Sequence, residues 1–170
     1  MAVLSDDDIM ERLKDSSLKI GSFVEGNLTP NGYDVTIEEV WIPGLNVRTK
    51  TGVAKVPGGE MFIIGTKEYL EFPEDLVGQI WIRTSWARKG ILSSFGRIDA
   101  GFHGNLTFSA INASKETVQV PIGDRFAQVV FEELKSRPGK SYKERSGNYQ
   151  GQRGITLTPV SSQKNDRSKP

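Results

Sequence analysis

The stretch Arg97-Ile98-Asp99-Ala100-Gly101-Phe102-His103-Gly104, continued by Asn105-Leu106-Thr107-Phe108-Ser109, carries the fold reading. It reads as a strand end, a tight glycine-bounded turn and an alternating strand, which together signal a hairpin. Asp99 stands beside that turn, where backbone approaches a ligand closely. Two roles fit an aspartate there: a turn-former bonding its own backbone, or a functional carboxylate. The surrounding chain supplies the context.

Working outward, short apolar or alternating runs recur with turn signals between them. Downstream lie Thr117 to Val120 and Phe126 to Leu134; upstream lie Ile91 to Phe95, Gln79 to Ile82, Tyr69 to Phe72 and Met61 to Ile64. Tyr33 to Trp41 alternates with β-branched residues, and Leu18 to Val24 is strand-like. Asn27 to Gly32, Pro43-Gly44, Pro57-Gly58-Gly59 and Pro73-Glu74-Asp75 separate them as loops or turns. Thr84 to Arg88 fits a single helical turn. Ser5 suits a helix cap, with Asp8 in the capping-box position and Leu4 and Ile9 as a hydrophobic staple, for a helix ending near Lys14. The expected fold is mainly β, a distorted jelly-roll or β-barrel with a short N-terminal helix. Residues 1–160 read as one domain, with a C-terminal lid at about 141–156. Residues 161–170 read as a flexible tail.

Composition narrows the chemistry. A 36% apolar, 25% charged chain of net charge +1 points to neither a nucleic-acid nor a membrane partner. Met1-Ala2-Val3-Leu4 runs straight into acidic residues, so the expected compartment is the cytoplasm. With no cysteine and His103 as the single histidine, thiolate nucleophiles, Cys-based zinc sites and two-histidine zinc sites are excluded. Carboxylates, hydroxyls, Lys and Arg remain, with magnesium on a substrate.

Further constellations join Asp99. Arg83-Thr84-Ser85-Trp86-Ala87-Arg88 sets hydroxyls and guanidiniums at a helix start, a phosphate cradle or a solvated cap. Asn31-Gly32-Tyr33-Asp34 offers a second carboxylate, and Gly123 to Gln128 opens a strand after a turn. Tyr149-Gln150-Gly151-Gln152-Arg153-Gly154 puts aromatic, amide and guanidinium groups on a glycine hinge.

In order and spacing these segments resemble the dUTPase and dCTP deaminase superfamily, from about Asn27 to Thr156, and the archaeal-type dUTPases most closely. The resemblance implies a jelly roll of the trimeric dUTPase type, with active sites at the subunit interfaces of a homotrimer. By matching position, Asp99 resembles the aspartate that orients the attacking water, and Asp34 the acid that holds Mg2+ through water. The metal itself sits on the substrate phosphates. Arg83, Thr84, Ser85, Arg88 and Gln128 resemble phosphate ligands, and Phe102 the aromatic residue against the deoxyribose. The backbone around Thr107, Phe108 and Ser109 would read the base. Tyr142, Tyr149 and Gln152 match the closing segment of deaminase-like members, in which Asn148 replaces a phosphate-binding lysine. The glycine-rich arm of many dUTPases is absent.

In deaminases of this superfamily the residue ten after the motif aspartate is a proton-shuttling glutamate; here it is Ser109. A serine hydroxyl does not titrate usefully near neutral pH. The expected activity is therefore hydrolysis of dUTP to dUMP and pyrophosphate with Mg2+. The alternatives are a dCTP deaminase with another proton relay, a non-catalytic nucleotide-binding trimer, and a pyrophosphatase of broader specificity.

Overall fold

Ser5 Oγ accepts the Asp8 N–H at 3.2 Å, and Asp8 Oδ2 accepts the Ser5 N–H at 2.9 Å. This reciprocal cap starts helix α1 (Asp6–Lys14), as the sequence predicts. Leu4 and Ile9 are both buried beneath it. In the last turn Arg12 reaches Asp75 at 2.9 Å and Glu133 at 3.1 Å, tying the helix to the ends of two strands.

The computed structural model describes residues 2–160; the tail expected at 161–170 lies outside the described residues. The strands are β1 (Lys19–Ile20), β2 (Leu28–Thr29), β3 (Gly32–Ile42), β4 (Val47–Thr49), β5 (Val53–Val56), β6 (Met61–Thr66) and β7 (Leu70–Glu71). They continue as β8 (Leu76–Ile82), β9 (Ile91–Ser93), β10 (Arg97–Ile98), β11 (His103–Gly104), β12 (Thr107–Asn112), β13 (Val118–Pro121) and β14 (Arg125–Glu133). Two short helices follow the expectation or add to it: α2 (Thr84–Ala87) and α3 (Tyr142–Arg145). The mainly β jelly-roll reading holds.

The main sheet runs β10-β8-β14-β3-β6-β12-β9, with β2 and β4 also on β3; β1-β7-β11 and β13-β5 form smaller sheets. β3 is central and buried on both faces, so its alternating sequence does not mark a solvent side. Phe62, Phe95, Phe108 and Phe126 pack as one aromatic group, Phe95 edge-on to Phe108 at 5.1 Å. Trp86 joins it and donates its indole N–H to the Arg125 carbonyl at 2.8 Å, which anchors α2.

The hairpin read at Arg97–Ser109 does not form. β10 pairs with β8 (Ile98 opposite Gly78), whereas β11 pairs with β7 (His103 opposite Glu71) and β12 with β6 and β9. The turn itself is real, since Phe102 N–H donates to Asp99 O at 3.1 Å. Its two arms diverge into different sheets because non-local partners outcompete the local pairing. Among the described residues no helix is long and apolar enough to cross a membrane.

Candidate active site

The divergence of those arms opens a cavity of about 370 Å³. A volume of that order suits a small organic ligand. Asp99 lines it at the turn, with Phe102 beside it and Thr107, Phe108 and Ser109 along β12. Tyr142 sets its ring edge-on to Phe102 at 5.8 Å, and its hydroxyl accepts the Tyr149 N–H at 3.4 Å. Tyr142, Tyr149 and Gln152 complete the list of expected residues that meet here. Burial pushes the Tyr142 phenol up, the Tyr149 N–H pulls against it, and the Asp99 charge adds to the rise.

The C-terminal segment reaches the cavity by backbone pairing. Gln150 is bonded on both sides of its amide, accepting from His103 N–H at 3.0 Å and donating to Gly101 O at 3.0 Å. Gln152 donates through its side chain to Asn105 O, and Asn105 N–H returns a bond to Gln152 O at 3.1 Å. A Cβ at Gly104 would stand 2.9 Å from Gln152 Cγ and 2.8 Å from Phe102 Cζ, so glycine is what lets the segment approach. Among the described residues Asp99 is the single carboxylate lining the cavity, and Arg97 the single cation. Arg97, Thr156 and Leu157 also line it. Arg97, two residues before Asp99, stands in the decisive stretch but was assigned no role, and the other two were not singled out.

The remaining expected residues gather elsewhere. Asp34, almost fully buried on β3, receives Arg83 Nε at 2.9 Å and Arg125 Nη1 at 3.4 Å. Gln128, on β14 opposite Asp34 of β3, donates to Thr29 Oγ1 at 2.7 Å. Thr84 and Ser85 lie in α2, with Arg88 at its end. None of these six residues lines the Asp99 cavity. Burial raises the Asp34 carboxyl against the pull of the two guanidiniums. Among the described residues no three His, Asp or Glu side chains converge as a metal site.

Residues 45–134 match the model of the dCTP deaminase-like family. The chain belongs to that family. A relative from Pyrococcus horikoshii named dCTP deaminase is 42% identical over 134 residues, which is 78% of this chain and 84% of that protein. The crystal structure of the 2'-deoxycytidine 5'-triphosphate deaminase from Agrobacterium tumefaciens superposes with a TM-score of 0.66 at 19% identity. That match spans 78% of this chain but only 49% of the other. The dUTPase of phage phi11 of Staphylococcus aureus superposes at 0.51 with 21% identity, over 73% of this chain and 95% of that one. These two likenesses concern the fold.

The superfamily expectation therefore stands, and the expectation of dUTP hydrolysis is corrected. A relative this similar across most of its length is named dCTP deaminase, which favours the deaminase alternative over dUTP hydrolysis. The expectation rested on one side chain: the Ser109 hydroxyl does not titrate usefully, which says nothing of the other groups lining the cavity.

Proposed function

We propose that the protein is a hydrolytic deaminase of dCTP. The observation that carries this reading is the 42% identity, over 84% of its length, to a relative named dCTP deaminase. The reaction is dCTP plus water giving dUTP and ammonia. Asp99 takes a proton from water as its oxygen bonds to C4 of cytosine. The same carboxylate returns that proton to the amino group, the C4–N bond breaks with release of ammonia, and the proton left on the new C4 hydroxyl passes to N3, giving the uracil carbonyl. Thr107, Phe108 and Ser109 hold the base, Phe102 packs against the sugar, and Tyr142 and Tyr149 exclude water. Magnesium enters only as the counter-ion of the triphosphate.

A second copy of the chain completes the site in this reading. The cluster of Arg83, Thr84, Ser85, Arg88 and Gln128 does not reach the Asp99 cavity within one chain, so it serves a neighbour's nucleotide as the phosphate half-site. An exposed apolar row supports association: Met61, Ile111 and Leu92 stand side by side across three strands. The row borders Ser109, which also lines the Asp99 cavity.

The test is to incubate the protein with dCTP and magnesium and to follow ammonia by a coupled assay, with dUTP and pyrophosphate as a parallel arm. Ammonia in proportion to dCTP consumed supports the reading. No ammonia from dCTP, with pyrophosphate from dUTP, overturns it.

A further inference from the structure

Glu39 is a buried carboxylate that the sequence reading did not single out. It lies where β3 shifts register against β6: Ile37 faces Thr66 and Glu39 faces Gly65, so two steps on one strand meet one on the other. Glu38 is exposed and Glu39 is 4% exposed. Bulges of this kind re-aim side chains next to functional sites. Glu39 Oε1 accepts the Ile155 N–H at 2.9 Å. Its other oxygen has no hydrogen-bond partner but lies 3.5 Å from Lys50 Nζ and 3.6 Å from Arg48 Nη1, which offsets the buried charge.

A seat surrounds that bond. A Cβ at Gly65 would stand 3.1 Å from Ile155 Cγ1 and 3.2 Å from Ile155 N, so the missing side chain leaves the space that Ile155 fills. One residue on, Thr156 N–H donates to Thr107 Oγ1 at 3.1 Å, and that hydroxyl donates to Gly154 O at 3.3 Å. Before the seat, Arg153 lies over the Tyr69 ring at 3.8 Å. Past it, Thr156 and Leu157 line the cavity that holds Asp99.

We infer that Glu39 is a positioning residue: its carboxylate, facing Gly65, seats residues 154–156 and so fixes the part of the Asp99 cavity wall that Thr156 and Leu157 form. Its consequence for turnover rests on the dCTP reading; its consequence for the segment does not.

The test is amide hydrogen exchange at Ile155 and Thr156 in the full chain, beside KM and kcat for dCTP. Removing a hydrogen bond to a charged group in Glu39→Ala should speed exchange at Ile155 about tenfold or more, while Glu39→Gln, which keeps an acceptor, stays within about threefold of the parent. Gly65→Ala, which keeps the carboxylate but crowds Ile155 and, at 3.2 Å, Glu39 Cγ, should speed exchange likewise and carries the test if Glu39→Ala fails to fold. KM should rise more than kcat falls in both. Unchanged exchange at both amides in the folded variants overturns the inference. Faster exchange in variants of a protein that releases no ammonia upholds the seat and discards the dCTP reading.

Discussion

Gln152 and Asn105 are bonded in both directions, side chain to carbonyl one way and N–H to carbonyl at 3.1 Å the other. Both residues are buried, and Gln152 lines the cavity. Gln152→Ala would leave the Asn105 carbonyl without its side-chain donor, a loss of about 1–3 kcal/mol. The backbone bond remains, so the segment should stay docked more weakly. The expected outcome is a higher KM for dCTP with a lower melting temperature, measured by steady-state kinetics and calorimetry on the same preparation.

Among the described residues Asp99 is the only carboxylate lining the cavity, which makes its replacement the sharpest probe of the chemistry. Asp99→Asn keeps size and polarity but cannot carry the proton, so ammonia release should fall by about a hundredfold or more. Nucleotide affinity by titration calorimetry should stay close to the parent. A variant that keeps full turnover would remove Asp99 from the reaction.

The Asp34 cluster makes a double-mutant prediction. Arg83→Ala leaves a buried carboxylate with one guanidinium fewer and should destabilise the fold by about 1–3 kcal/mol. Asp34→Asn made in the Arg83→Ala background should cost less than in the parent, because the uncompensated charge is gone. Urea unfolding of the four proteins checks it; equal costs in both backgrounds would mean the 2.9 Å pair contributes nothing.

Glu68 sets a pH dependence. It is fully buried, one oxygen accepts the Thr36 N–H at 2.8 Å, and the other has no hydrogen-bond partner. Burial pushes its carboxyl above the ordinary value of 4.5, with the Thr36 bond opposing. The folded state thus holds the proton more tightly than the unfolded chain. Its contribution to stability is complete below the ordinary glutamate value and is lost as pH rises through the raised folded one. Melting temperatures across acid to neutral pH should decline less steeply in Glu68→Gln than in the parent. Some decline remains, since burial raises Asp34 in the same direction. An identical slope would exclude Glu68 as a source.

How far the sequence carried these conclusions depends on how local each signal was. The Ser5–Asp8 cap and the run from Tyr33 to Trp41 act within a few residues and were legible. So, in principle, was the Ser141–Glu144 cap that starts α3 inside what read as a polar lid. The period-two pattern of Val53–Val56, alternately exposed and buried, was also there to find. The Arg97–Ser109 hairpin failed because two-residue strands take their partners from β8 and β7, and spacing says nothing about such partners. The candidate site divided for the same reason: order along the chain groups Arg83 with Asp99, whereas the fold sends them to separate clusters. Glu39 was invisible because its role exists only through a register shift.

The central claim is that water attacks the base and not a phosphate. Turnover of dCTP in 18O-labelled water, followed by mass spectrometry of the nucleotide product, separates the two. The account predicts dUTP carrying the label on the pyrimidine ring, with the triphosphate unlabelled. Label confined to phosphate oxygens, with the cytosine amino group intact, would contradict it.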